Sequence, residues 1–155
     1  MTFRITGLEP GLFAHLSGLS DDALAGHRAR RVIATAKPGF PDRIGLRDAE
    51  VGESLILVNH THQDADTPYH ASHAVFIAEA SGAAYDTVGE VPDCLFRRTV
   101  SLRAFTAGGD MAGAELAAGA EIEPAILRLL ADPRAAYLHA HYAAPGCYAA
   151  RIERA

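Results

Sequence analysis

The chain alternates between short runs of apolar residues and polar interruptions, and several of these runs have the period of a β-strand. Residues 2–6 (TFRIT) predict a first strand. Pro10 to Ser17 and Asp21 to Arg28 predict two short helices, the second with Ser20 and Asp21 at its cap and Asp22 in its first turn, where the helix dipole favours negative charge. Arg31 to Ala36 is rich in β-branched residues and stops at the turn signal Pro38-Gly39. Ser54 to His62 (SLILVNHTH) starts apolar and turns polar at its far end, as a strand does when it leaves a core for a rim. After a loop at QDADTPY, His73 to Ala80 predicts another strand, PDCLF one helical turn, and Thr99 to Thr106 a further strand. Residues 111–120 fit no pattern clearly. Glu121 to Ala131 predicts the best helix, with Pro124 near its start and Ile122, Ile126, Leu129 and Leu130 on one face. Tyr137 to Tyr142 and Cys147 to Glu153, joined by a Pro-Gly turn, predict a C-terminal β-hairpin.

Strands and helices in this order do not alternate as a βαβ protein requires. The expectation is an α+β fold: a mainly antiparallel, curled sheet of six or seven strands with about three short helices. At 155 residues the chain suits one domain, 1–155, burying roughly 70% of its unfolded surface. With 49% hydrophobic and 21% charged residues it needs no metal or disulfide to fold. Two cysteines, Cys94 and Cys147, are too few for a disulfide framework and suit reduced thiols in a cytoplasmic protein. The N-terminus lacks the pattern of a signal peptide, and no apolar run is long enough to span a membrane. The net charge of −5, without a basic run, argues against a nucleic-acid partner.

The chemistry concentrates in YLHAHYAAPGCYAARIER. Side chains alternate faces along a strand, so His139 and His141 share a face with Tyr137, while Leu138, Ala140 and Tyr142 take the other. A loop over 142–146 would set His141 opposite Cys147 and His139 opposite Ala149, with Arg151 on the same face. His60 and His62 share a face at the far end of their strand. His70 and His73 point to opposite faces of theirs, so only His73 is expected to join a shared site.

His-x-His on a strand is a metal-binding pattern, because both rings can reach one ion at about 2.0–2.1 Å. The two such pairs, His60 with His62 and His139 with His141, together with His73 and Cys147, are therefore the candidate metal ligands, for zinc or iron, although no carboxylate accompanies them in these runs. Cys147, beside His141, is a candidate nucleophile, with His141 as its base and His139 or Arg151 as a nearby charge. Arg151, Tyr69 and His73 are candidate ligand-binding residues for a small polar or anionic molecule. Arg97, Arg98 and Arg103 read as solvated cations, Cys94 as core, and Asp64-x-Asp66 lacks the oxygens of a calcium loop. The competing expectation is a protein without catalysis, homodimerising or regulatory, whose histidines are satisfied by hydrogen bonds at a half-buried rim.

Three stretches carry a family resemblance: KPGFPDRIGLRDAEVGESLILVN, HQDADTPYHASHAVFI and AYLHAHYAAPGCYAARI. Together they resemble the small bacterial proteins of domain-of-unknown-function family 1203, in the same order and over nearly the whole chain. The resemblance implies no established activity. It does imply that His62, His73, His139, His141, Cys147 and Arg151, with Pro68-Tyr69 and Gly146, stand at family positions, whereas His60 and His70 do not. Asp42 stands where many relatives have a cysteine, so a thiol site that used that position would be incomplete here.

Overall fold

The computed structural model describes residues 1–155. Its strands are β1 (Phe3–Thr6), β2 (Ala29–Ile33), β3 (Pro41–Asp42), β4 (Arg47–Asp48), β5 (Ser54–Gln63), β6 (Ala71–Ala78), β7 (Asp86–Val88), β8 (Thr99–Phe105), β9 (Met111–Ala118), β10 (Tyr137–Tyr142) and β11 (Tyr148–Arg154). Three α-helices accompany them: α1 (Asp21–Gly26), α2 (Asp93–Phe96) and α3 (Ile122–Ala131). The class is α+β, and β10–β11 form the expected hairpin. The strands divide between two sheets, one in the order β7-β1-β11-β10-β8-β9 and one in the order β2-β5-β6-β3-β4. All pairs are antiparallel except β3 with β6. No helix is long and apolar enough to cross a membrane.

Local sequence accounts for most of these elements. Ser20 caps α1 by accepting from the Ala23 N–H at 3.2 Å, and Asp21 and Asp22 follow in the first turn. The helix ends at Gly26, earlier than expected, because Arg28 turns the backbone to φ 53° before β2. Pro10 to Leu16 forms 3₁₀ turns rather than an α-helix. The ambiguous stretch after Gly109 is a strand, β9, whose small residues lie at the edge of the six-stranded sheet.

The larger core lies between one face of the six-stranded sheet and α3, which buries Ile122, Ala125, Ile126 and Leu130 against it. From β10 the residues in this core are Leu138, Ala140 and Tyr142. A second core packs Ile56 and Val58 of β5 and Val75 and Ile77 of β6 against Phe13, Leu16 and Leu24. Strand β10 is central in its sheet, and all six of its residues are buried. Its second face, Tyr137, His139 and His141, is therefore covered too, by the end of β5 from the other sheet. The apolar cores and strand periods thus fix where the histidines must meet.

Candidate metal centre

The site forms where the polar end of β5 crosses the hairpin β10–β11. His62 comes from β5, His139 and His141 from β10, and their candidate ligand nitrogens all lie within 4.8 Å of one another. The ring of His62 is 4.9 Å from that of His141 and 5.9 Å from that of His139, edge-on to both. Tyr148 of β11 closes the group by stacking on His62 at 5.2 Å with planes 7° apart.

Two β-bulges bring further side chains to this group. On β11, Ala140 pairs with Ala150 and His141 with Tyr148, so Ala149 is an extra residue. Strict alternation would turn Tyr148 away from Arg151; the bulge turns both to the histidine face. The register expected from the sequence is corrected accordingly: His141 stands opposite Tyr148, not Cys147, and His139 opposite Arg151, not Ala149. On β5, Thr61 pairs with Ser72 and Gln63 with Ala71, which leaves His62 as the extra residue. Gln63 then buries its amide and donates to the Tyr137 hydroxyl at 2.8 Å, tying the two sheets together beside the site.

The histidines are not hydrogen-bonded as a structural rim would have them. Nδ1 and Nε2 of His62, Nδ1 of His139 and Nε2 of His141 are buried without a partner. Such orphans are uncommon and each costs free energy unless something binds it. One ring nitrogen is engaged: His141 Nδ1 lies 3.0 Å from the carbonyl of Gly146 and donates to it. That contact fixes the tautomer and leaves Nε2 as a lone pair facing the other rings. Gly146 presents its carbonyl from φ 79°, a conformation that glycine adopts without strain.

Burial holds all three rings neutral. It lowers the pKa of His62 from 6.5 to about 4, with the nearby His73, His60 and Arg103 adding to the effect. Burial likewise takes His139 and His141 to about 3, with the hydrogen bond to the Gly146 carbonyl acting in the opposite direction on His141. Neutral imidazole is the form that ligates a metal. Three imidazoles without a carboxylate form a donor set that zinc accepts, with a fourth position left open.

The other candidates distribute around this centre. His73 is half-buried on β6, opposite His60, with its ring 6.3 Å from that of His62. His60 shares the His62 face but packs on Phe13 at 5.5 Å, and His70 is exposed in the turn before β6. Tyr69 is exposed and meets Phe105, whose ring in turn lies 5.1 Å from His139. Arg151 stacks over Tyr137 at 4.0 Å and donates to Glu153 at 2.8 Å.

Cys147 sits outside β11, at the edge of a cavity of about 660 Å³ that His73, Arg43, Arg98, Phe76 and Tyr142 also line. Its nearest cation is Arg43, whose Nη2 donates to Sγ at 3.0 Å. His139, His141 and Arg151 do not supply that charge. Arg43 is buried and otherwise donates only to the carbonyls of Tyr148 and Pro41, at 2.8 and 2.6 Å. Nothing in the sequence pointed to Arg43, since Cys147 is 104 residues away. Tyr148 was missed because a bulge decides its face. Asp42 takes no part: it is buried and accepts from the N–H groups of Ile44, Gly45 and Ala78 and from Ser81. Cys94 is core, with its thiol donating to the Leu46 carbonyl at 3.0 Å.

The chain belongs to the family described as "Protein of unknown function (DUF1203)", whose profile matches residues 39–154. No curated protein and no solved structure matches the chain. The family span contains all three histidines, both bulges beside them, and both walls of the neighbouring cavity.

Proposed function

We propose that this member of the family holds a divalent transition metal, zinc or iron(II), on His62, His139 and His141, and uses it to bind a small polar or anionic molecule. The observation that carries this reading is the set of buried, unpartnered and neutral ring nitrogens that face one another while Gly146 fixes the tautomer of His141. An ion there satisfies three of the four unpartnered ring nitrogens, one from each histidine. With three protein ligands it keeps one position for water or substrate, where it polarises a carbonyl or brings a bound water's pKa to about 7. The test is elemental analysis and zinc titration of untagged protein prepared without chelator. Near-stoichiometric metal is expected, with affinity falling more than about a hundredfold in the His139→Ala/His141→Ala variant. Protein that stays metal-free after incubation with zinc and with iron sinks the proposal.

A second reading has its own observation. Cys147 lines the cavity with a buried guanidinium on its sulfur, a setting that suits a reactive thiol. In the folded protein at pH 7, iodoacetamide should label Cys147 well ahead of the buried Cys94: the sulfur forms its bond to carbon as iodide leaves. If Cys147 reacts no faster than a free cysteine, the thiol reading is removed.

A further inference from the structure

We infer that the molecule taken by the three-histidine site carries an oxyanion, a carboxylate or phosphate group, and that Arg103 is the residue that recognises it. This rests on the metal reading above. Arg103 stands on β8 directly across from His139, and Ser101 across from His141, so both belong to the histidine face of the sheet. Nε of Arg103 donates to Ser101 Oγ at 3.2 Å, which lays the guanidinium along the strand in the direction of His141. This is the side chain's only hydrogen bond within the protein, and both Nη atoms are left free.

That isolation is unusual in this molecule. Eight other arginines have a carboxylate within 4.0 Å. Of the rest, Arg28 and Arg30 are exposed to water, while Arg43 and Arg154 are held by main-chain carbonyls. Arg103 alone is half-buried with a single neutral partner. The face it shares holds a second cation, Arg151, but Glu153 and the Tyr137 ring already engage that one.

The position also has an electrostatic cost. The guanidinium of Arg103, across the sheet from His139 and without a carboxylate partner, repels a metal ion held on the three rings. An anion lying between the ion and the guanidinium removes the conflict. One oxygen takes the open coordination position, and the others accept from the free Nη donors, an arrangement that the planar fork favours over a point charge.

The prediction is reciprocal, and one spectroscopic titration reads both halves. The full, untagged chain is loaded with cobalt(II), whose visible bands report its coordination, and titrated with acetate or with inorganic phosphate. In the wild type at least one of the two should shift the bands saturably, and the tighter one identifies the group as carboxylate or phosphate. In Arg103→Met the anion should bind at least about tenfold more weakly, while cobalt in anion-free buffer binds more tightly. Arg103→Lys, which keeps the charge without the fork, should fall between. If cobalt binds but neither anion perturbs it, or if anion affinity is the same in Arg103→Met, the inference is overturned and the metal site stands. If cobalt does not bind the wild type, the metal reading itself fails and this inference falls with it.

Discussion

The two faces of β10 are buried to nearly the same degree but are opposites in chemistry. Leu138 and Ala140 point into the apolar core under α3 and are 0% exposed. His139 and His141 point towards β5 and are 2% and 1% exposed, yet two of their ring nitrogens have no partner. On the first face Leu138 and Ala140 need only contact, and the one polar atom there, the Tyr142 hydroxyl, is buried without a partner as well. The second face is buried without being satisfied, and desolvated polar atoms that nothing pairs are costly. Burial alone therefore does not separate core from site. What separates them is convergence: four unpartnered ring nitrogens gather on the histidine face, where three rings bring candidate ligand atoms within 4.8 Å of one another.

Breaking the apolar face should have the largest effect. Leu138→Ala removes a fully buried side chain from the core under α3 and should cost about 2–5 kcal/mol in urea unfolding. Metal or anion binding should weaken only as far as the fold does. A loss below about 1 kcal/mol would mean that this face is not the tightly packed one.

The unsatisfied face should show itself through pH, with a smaller effect. In the folded, metal-free protein His62 titrates at about 4 and His139 and His141 at about 3, against 6.5 for the ordinary group. Below 6.5 the unfolded chain therefore binds protons that the folded chain refuses. Stability is complete above that pH and falls as pH drops through the window between 6.5 and the folded values. The slope approaches about 1.4 kcal/mol per pH unit for each histidine that stays neutral, as an upper bound for rings that are coupled and partly reached by water. Glu53 and Asp132, held down to about 2, contribute only below their ordinary values of 4.5 and 3.8. Urea midpoints at pH 7 and pH 5 isolate the histidines. The His139→Ala/His141→Ala variant should lose much less between those pH values than the wild type. Equal losses would show that these rings are not the buried bases described.

What was legible in the sequence was local. The period of two in YLHAHY put His139 and His141 on one face and Leu138, Ala140 and Tyr142 on the other, and that is how they lie. The polar end of SLILVNHTH placed His62 beyond the core, and the family stretches singled out these three histidines together with His73. Arg103 was visible but read as a solvated cation, because nothing in its own strand says that it stands across from His139.

The sequence by itself determined the α+β class, the hairpin, the best helix and the candidate ligands, since these follow from propensity and from alternation over a few residues. Tertiary structure decided the rest. A bulge is a single extra residue that no periodicity announces, and the two at His62 and Ala149 bring Gln63 and Tyr148 to the histidine face. The approach of Arg43 to Cys147, and of His62 to His141, depends on how two sheets pack. That packing is set by apolar cores distributed over the whole chain, so no short stretch encodes it.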